Sequence, residues 1–334
     1  MKKIITYFGI LTLTLYGCFR QTSYYKIVGS TQGTTYEIEY SSNKNYKAEI
    51  DSILKEIDLT FSTYNPNSII SRINNNDPNV KLNEHFIKVF NKSIEISEAS
   101  DGLFDITVGP LVELYGFGPD KPATNVSQHV IDSILQFVGY KKVHIINGKF
   151  VKDDPRIKID MNAIAQGYTV DVISHFLDNK DIDNYYIDVG GEVMVKGKNE
   201  FNEPWRIGIE KPIENTTVAE NPLQLVIQIS GEKKAIATSG NYRRFYVKNG
   251  VKYTHTINPK TGRTVRDSLL SVSIMADDCT TADGYATACL VSGFKNGIKL
   301  AKKIKNIEGF FIYVDYKNNY RFFFTKGFKK YITE

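Results

Sequence analysis

Apolar residues recur at helical spacing along much of the chain. One run places five apolar side chains at i, i+3, i+4, i+7 and i+11, which predicts an amphipathic helix over roughly 47–62. The same spacing predicts further helices over about 83–99, 130–138, 163–178, 280–292 and 294–305. These helices are spread from one end of the chain to the other.

Runs rich in β-branched and aromatic residues lie between the helices and predict strands. They cover residues 143–146, 150–151, 157–159, 185–189, 205–209, 223–230, 244–247, 270–275, 310–314 and 320–324. Asn147 and Gly148 predict a tight hairpin turn. The mixed order and short turns favour an α+β fold, with a mostly antiparallel sheet packed with helices, over a doubly wound parallel fold. We find no linker or repeat after the first residues, which indicates one domain over 27–334.

The N-terminus differs from the rest of the chain. Lys2 and Lys3 precede an uncharged apolar stretch that is shorter than the ~20 residues of a spanning helix, which is typical of a signal peptide. Gly17 followed by Cys18 resembles the bacterial lipobox, whose cysteine is acylated and becomes the first mature residue. We therefore expect a lipoprotein signal peptide at 1–17 and a lipid-anchored tether at 18–26. This places the protein in the bacterial cell envelope, facing the periplasm, at the inner or outer membrane. A buried N-terminal strand is the less favoured alternative.

Composition narrows the class of protein. With 334 residues, 42% hydrophobic and 24% charged, the chain is neither disordered nor collagen-like. Its net charge of +5 predicts no nucleic-acid partner. Removing Cys18 leaves Cys279 and Cys289, which we interpret as buried thiols rather than a disulfide framework.

Three segments carry residues that could serve a ligand. Around Asp160, a strand end is followed by Asn162 as a possible cap and then by small residues, so a phosphate site and a closely packed helix start are equally open interpretations. Gly190 and Gly191 interrupt a strand, where a bulge is favoured over close ligand approach. His255 lies beside an Asn-Pro and Thr-Gly turn; a hydrogen-bonded structural histidine is the default, and the polar turn raises the case for function.

A fourth segment suits a metal ion. Asp283 and Thr287 stand at i and i+4, which places a carboxylate and a hydroxyl on one helix face. Such oxygen ligands suit Mg²⁺, which keeps waters or substrate phosphates. Thr280 and Asp283 also match a capping box, and for this segment in isolation the capping interpretation is favoured.

Seven blocks in this order resemble the ApbE family of flavin transferases, also called FAD:protein FMN transferases. The blocks are 32–36, 61–68, 100–111, 160–168, 188–192, 255–262 and 283–287. The resemblance covers nearly the whole mature chain and implies a single ApbE-like (T-fold-like) domain.

The resemblance also implies residue roles. Mg²⁺ would be held by Asp283, Thr287 and the main-chain carbonyl of Ala163. We expect Asp283 and His255 to be the catalytic residues; His255 would assist the acceptor hydroxyl or hydrogen-bond the phosphates, because a histidine can exchange a proton at neutral pH. FAD would contact Gln32, Tyr64, Leu103, Phe104, Asp105, Asp160, Gln166, Thr256 and Ile257. Two positions depart from the family pattern: Gln32 stands where Met is frequent, and Gln166 stands where Lys is frequent. The second change removes a cation from the expected neighbourhood of the phosphates.

The activity that the resemblance implies is Mg²⁺-dependent transfer of FMN from FAD to a Thr or Ser of an acceptor protein, with release of AMP. The acceptors would be respiratory or redox membrane proteins. Two alternatives stay open: a periplasmic FAD pyrophosphatase that uses water as acceptor, and a non-enzymatic flavin-binding lipoprotein. The paired oxygens of Asp283 and Thr287 argue against the last, because flavin storage needs no metal.

Overall fold

A computed structural model describes residues 23–119, 126–214, 222–242, 244–248 and 250–333. The predicted signal peptide and Cys18 lie outside these residues. The helices are α1 (Lys47–Phe61), α2 (Ile69–Asn74), α3 (Glu84–Ala99), α4 (Gly109–Leu114), α5 (Gln128–Leu135), α6 (Asn162–Asp178) and α7 (Cys279–Lys303). Short 3-10 turns cover Ile106–Val108, Tyr140–Lys142 and Phe328–Tyr331.

The strands form one large sheet and three hairpin ribbons. They are β1 (Tyr24–Thr31), β2 (Thr34–Ser41), β3 (Val143–Ile146), β4 (Lys149–Lys152), β5 (Tyr185–Val189), β6 (Glu192–Lys196), β7 (Trp205–Glu210), β8 (Leu223–Ile229), β9 (Lys234–Gly240), β10 (Phe245–Lys248), β11 (Val251–Thr254), β12 (Leu269–Ala276), β13 (Glu308–Val314) and β14 (Tyr320–Phe324). The sheet has eight strands in the order β1-β2-β5-β6-β9-β12-β13-β14. Every neighbouring pair in it is antiparallel, which confirms the predicted α+β class.

Both faces of the sheet are covered, and the two-residue period of its strands divides the core. In β13, Phe311 packs into the main core, while Phe310 and Ile312 pack into a second cluster with Trp205 and Phe328. Because successive side chains of a strand point to opposite faces, one strand serves both clusters. The main core also contains the apolar faces of α1, α3, α6 and α7. These helices therefore form a layer on one face of the sheet.

Several predicted elements are confirmed in detail. Gly293 has φ +73° and interrupts α7, at the residue where the sequence separates two helices. Asn147 and Gly148 both have positive φ and join β3 to β4, as a tight hairpin requires. Among the described residues, no helix is both long and apolar enough to cross a membrane.

Other predictions are wrong. Residues 157–159 form no strand: Ile157 and Ile159 are buried, but the Ile159 amide bonds to the side chain of Asn74 instead of a strand neighbour. Strand β1 begins at Tyr24, so residues 24–26 belong to the sheet and not to the predicted tether. Seven elements of the structure were not predicted from the sequence: β1, β2, β6, β9, β11, α2 and α4.

Candidate active site

A cavity of about 960 Å³ opens beside the N-terminal end of α6 and the face of α7 that carries Asp283, Thr287 and Val291. Every predicted site residue within the described ranges lines it: Gln32, Tyr64, Leu103, Phe104, Asp105, Asp160, Ala163, Gln166, His255, Thr256, Ile257, Asp283 and Thr287. The residues come from turns and helix starts that are far apart in the sequence. The fold thus brings the seven blocks to one place, and what each residue binds stays a prediction.

Helices α6 and α7 pack together at Gly167, next to the lining residue Gln166 and against the lining residue Asp283. A Cβ at this position would be 2.4 Å from the Cys279 carbonyl oxygen and 2.8 Å from the Cβ of Asp283. The Gly167 amide donates a 3.1 Å hydrogen bond to Oδ2 of Asp283. Only glycine permits this approach, so the close-packing interpretation of the α6 start is correct at this residue.

Asp283 is not a helix cap. The N-cap of α7 is Asp278, whose carboxylate accepts from the amide and the hydroxyl of Thr281. Asp283 is 6% exposed, and burial raises its pKa to about 7, with a further contribution from nearby Asp171. The capping-box interpretation is therefore wrong, because Asp278, two residues before Thr280, takes that role.

One turn further along α7, the Thr287 hydroxyl lies 3.0 Å from the hydroxyl of Ser239 on β9. Both residues line the cavity together with Ala163. Asp283, Thr287 and the Ala163 carbonyl would offer three hard oxygen ligands, the donor set that suits Mg²⁺. The buried Asp283 carboxylate receives one recorded hydrogen bond from the described residues, that of Gly167, so a cation would stabilise its charge.

This donor set contains only one acidic residue. Within the described ranges, no group of three or more His, Cys, Asp or Glu side chains is placed to hold a metal ion. Mg²⁺ is commonly bound through one or two carboxylates plus water and substrate phosphates. The residues present therefore fit a magnesium ion that is completed by a phosphate-bearing ligand.

Asp160 precedes α6 and shapes its first turn. Its carboxylate accepts 2.8 Å and 3.2 Å hydrogen bonds from the backbone and side-chain nitrogens of Asn162. Asn162 is the first residue of the helix and Met161 is its N-cap, so the prediction of Asn162 as the cap is wrong. Burial raises the pKa of Asp160, and the positive charge of Arg244 opposes that rise.

Gly190 and Gly191 form a two-residue hairpin turn between β5 and β6, and not the predicted bulge. Val189 pairs with Glu192 across the turn, and the two glycines have φ +69° and +102°. A Cβ at Gly190 would lie 2.8 Å from Nε2 of Gln166. The turn therefore admits the Gln166 side chain to the edge of the cavity.

Gln32 closes the neighbouring side of the cavity from the β1–β2 turn, where its φ is +49°. Its Nε2 donates a 2.7 Å hydrogen bond to Oγ1 of Thr169 on α6. Its Oε1 is buried and has no hydrogen-bond partner among the described residues. This oxygen is an acceptor available to a ligand N–H.

Phe104 and Asp105, in the Leu103–Asp105 stretch, are held in place by contacts with other parts of the protein. Phe104 is 3% exposed and belongs to the main core. The Asp105 carboxylate accepts from the amide and hydroxyl of Thr107 and from the amide of Tyr140. Burial raises the pKa of Asp105. Tyr64, by contrast, is 64% exposed at the cavity and is free to stack on a planar group.

His255 is oriented by the backbone of Arg244. Its Nδ1 lies 3.1 Å from the Arg244 carbonyl oxygen, which also accepts from the His255 amide. A carbonyl only accepts, so Nδ1 carries the proton and Nε2 of the neutral ring is an acceptor. Burial lowers the pKa of His255, which favours this neutral form at pH 7. Thr256 and Ile257 follow at the cavity wall, where Ile257 packs in a small cluster under α4 and α5.

Arg244 was not among the predicted site residues, and it is the single Lys or Arg among the described residues that line the cavity. The acidic lining residues are Asp58, Asp105, Asp160, Glu192, Glu210 and Asp283. Carboxylates thus outnumber cationic groups, and an anionic ligand would need added positive charge. No pattern in the sequence distinguishes Arg244, because it stands at the start of a predicted strand in a chain with 42 Lys and Arg residues.

Comparisons with known proteins show the family of this chain. The ApbE family model matches residues 32–311. An FAD:protein FMN transferase of Vibrio cholerae is 35% identical over 299 residues, covering 87% of this chain and 88% of that protein. A protein of the same name from Haemophilus influenzae is 34% identical over 323 residues, covering 91% of each chain.

Solved structures give the same result. The flavin transferase ApbE of Vibrio cholerae superposes with a TM-score of 0.82 at 32% identity, covering 93% of this chain and 99% of that one. The apo flavinyl transferase ApbE of Pseudomonas stutzeri gives 0.81 at 27% identity, covering 93% and 97%. Fold and relatives together define an enzyme of the transferase class. The chain belongs to the ApbE family, which confirms the family predicted from the seven blocks.

Proposed function

We propose that the protein transfers FMN from FAD to a Thr or Ser hydroxyl of an acceptor protein and releases AMP. The relatives named above carry the name of this activity. The observation that carries the proposal is the cavity itself, in which Asp283, Thr287 and Ala163 lie together with a neutral His255. A hydroxyl-activating base and a cation site in one cavity suit phosphoryl transfer, which depends on positioning and charge stabilisation.

The reaction breaks one phosphoanhydride bond and forms one phosphoester bond. The acceptor oxygen attacks the phosphorus of the FMN half, and the P–O bond to the AMP half breaks. Nε2 of His255 takes the proton of the acceptor hydroxyl, because its neutral ring has a free lone pair there. AMP leaves with the bridging oxygen, and FMN stays on the acceptor as a phosphoester.

Asp283, Thr287 and the Ala163 carbonyl would hold Mg²⁺ beside the diphosphate. The ion would offset negative charge on the phosphate oxygens and fix their orientation. This contribution matters here because Gln166 is uncharged and acidic side chains dominate the cavity. Arg244 would supply the remaining positive charge.

We propose that the mature chain is anchored at Cys18 in the cell envelope and faces the periplasm. The sequence before Tyr24 supports this proposal through its basic start, apolar stretch and lipobox-like cysteine. An enzyme tethered in this way would meet respiratory or redox membrane proteins at short range. Mass spectrometry of the mature N-terminus tests the anchor: a diacylated Cys18 is expected, and an unprocessed Met1 would contradict it.

The experiment that tests the activity combines the purified protein, FAD, Mg²⁺ and a candidate membrane redox acceptor with an exposed Thr. The expected result is AMP in solution and flavin fluorescence that stays with the denatured acceptor. FMN and AMP without labelled acceptor would instead identify an FAD pyrophosphatase. Intact bound FAD would leave only the flavin-binding alternative.

Arg244→Ala should weaken FAD binding by roughly tenfold, because one charge-assisted hydrogen bond to phosphate contributes about 1.5 kcal/mol. The expected signature is a higher KM for FAD with little change in the Mg²⁺ requirement. Arg263→Ala is the matched control, since Arg263 is exposed, bonds to Gln128 and does not line the cavity. Equal KM values for the two variants would contradict the role of Arg244.

A further inference from the structure

Asp171 is a buried carboxylate on α6 that the proposed reaction does not use. It is 5% exposed, and its two oxygens bond to the first residues of α7. Oδ1 accepts a 2.7 Å hydrogen bond from the Cys279 amide, and Oδ2 accepts 2.8 Å and 2.5 Å hydrogen bonds from the amide and hydroxyl of Thr280. Three donors from one helix thus converge on one side chain of another.

These bonds satisfy two amides at the start of α7 to which the Asp278 side chain does not bond. Asp278 already serves as its N-cap through Thr281, entirely within the same helix. Burial and the neighbouring charge of Asp278 raise the pKa of Asp171 to about 6, so its ionisation in the folded chain carries a cost. Capping alone does not require that this second carboxylate come from another helix. What distinguishes Asp171 from Asp278 is that it joins α7 to α6.

The spacing of the contacts shows what this junction sets. On α6, Ala163, Gly167 and Asp171 are four residues apart and lie on one face. On α7, the corresponding stripe is Cys279, Asp283 and Thr287.

The two helices pack antiparallel, so residue numbers fall along the α6 stripe as they rise along the α7 stripe. Asp171 bonds to Cys279, and Gly167 bonds to Asp283. The next step in the same register brings Ala163 beside Thr287, and both line the cavity. The contact of Asp171 with Cys279 is therefore the first of three successive contacts between α6 and α7. The second contact contains Asp283, and the third contains Ala163 and Thr287. A slide of one helix along the other would move the Ala163 carbonyl away from Asp283 and Thr287.

We propose that Asp171 is a positioning residue: it fixes the register of α6 against α7 and so sets the distance between the Ala163 carbonyl and the Asp283 and Thr287 side chains. The inference rests on the cation site of the proposed function. It adds a determinant of metal affinity that lies two helical turns from the nearest ligand on its own helix and whose printed hydrogen bonds go only to Cys279 and Thr280. Because the charge of Asp171 also acts on Asp283 through space, Thr280→Val, which keeps that charge, separates the positioning role from the electrostatic one.

The test compares Asp171→Asn with Asp278→Asn in the purified mature chain. Both substitutions are nearly isosteric and weaken hydrogen bonds at the same helix end, but only the first affects the bond to α6. Isothermal titration with Mg²⁺ alone measures affinity, and steady-state kinetics separates the Mg²⁺ concentration for half-maximal turnover from the KM for FAD.

We expect Asp171→Asn to weaken Mg²⁺ binding about tenfold or more, the effect usual for residues that orient metal ligands. Excess Mg²⁺ should restore turnover, the KM for FAD at saturating Mg²⁺ should stay unchanged, and Asp278→Asn should bind Mg²⁺ like the wild type. Equal losses of Mg²⁺ affinity in both variants, or a lower melting temperature of Asp171→Asn without a change in Mg²⁺ affinity, would overturn the inference.

Thr280→Val provides a milder variant if Asp171→Asn does not fold. It removes one donor to Asp171 and keeps the shape of the side chain, so a smaller shift of Mg²⁺ affinity in the same direction is expected, and none would overturn the inference. A wild-type chain that neither binds Mg²⁺ alone nor depends on Mg²⁺ for turnover would overturn the cation site as well. A wild-type chain that binds Mg²⁺ while Asp171→Asn binds it equally well overturns the positioning role alone.

Discussion

Asp283→Asn is expected to abolish Mg²⁺-dependent transfer while the chain stays folded. The substitution keeps the size of the side chain but replaces the one carboxylate of the candidate cation site by an uncharged amide. Loss of residues that merely orient metal ligands costs about 10- to 100-fold in affinity or activity. The loss of the ligand itself should therefore lower turnover by at least about 100-fold, measured as AMP release at saturating FAD.

Although Asp283→Asn should lose activity, its stability without metal should not fall. Burial raises the pKa of Asp283 from 3.8 to about 7. Between these values the folded chain holds a proton that the unfolded chain has released, so the free energy of unfolding falls as the pH rises through this window. Without metal at pH 8, Asp283→Asn removes this cost, and its melting temperature should equal or exceed that of the wild type.

Variants of Thr287 provide the matched control. Thr287→Ser keeps the hydroxyl and should retain Mg²⁺-dependent turnover, whereas Thr287→Val keeps the shape and should lose most of it. A metal-free Asp283→Asn chain that unfolds well below the wild type would indicate a structural carboxylate. Undiminished turnover in this variant would remove Asp283 from the reaction.

The second large effect is expected for Gly167→Ala. The added methyl group would lie 2.4 Å from the Cys279 carbonyl oxygen, and that atom is backbone that cannot rotate away. Helices α6 and α7 must therefore separate, at a cost typical of overpacking, about 1–3 kcal/mol. Thermal unfolding should show the loss of stability, and Mg²⁺ titration should show weaker binding, because the three candidate ligands lie on both helices.

Gly284→Ala is the control for Gly167→Ala. It also adds a methyl group to a buried helical glycine, but the nearest atom is the terminal Cδ1 of Ile96, which can rotate. We expect a small stability change and wild-type Mg²⁺ affinity. If Gly167→Ala were as mild as Gly284→Ala, the close contact of α6 and α7 would not determine the site.

The sequence predicts the parts of this fold that local physics determines. The helical periodicity of 47–62 and 83–99 reproduces α1 and α3 within a residue or two. Asn147, Gly148 and Gly293 adopt positive φ, which is costly for most other residues. The β3–β4 turn and the break in α7 could therefore be predicted from the sequence. Strands β1 and β9 were missed because β1 is an edge strand with few buried apolar residues, and β9 is built largely of small residues beneath α7.

For the candidate site, the identity of the residues could be predicted, but their hydrogen-bond partners could not. Its residues could be gathered by their resemblance to a family, and the fold brings them to one cavity. The partner of each polar group could not be predicted, because hydrogen bonds such as Asp171 to Cys279 and Gln32 to Thr169 join residues more than 100 positions apart. The capping motif at Thr280 misled for this reason: local spacing fits it, but Asp171 and Asp278 hold that helix end.

The most direct test of the account is a crystal structure of the mature chain grown with FAD and Mn²⁺, in which anomalous scattering locates the cation. We expect one Mn²⁺ peak about 2.1 Å from the Asp283 carboxylate, the Thr287 hydroxyl and the Ala163 carbonyl, with flavin nucleotide in the cavity. Nucleotide in the cavity with the cation bound elsewhere, or with none bound, would contradict it.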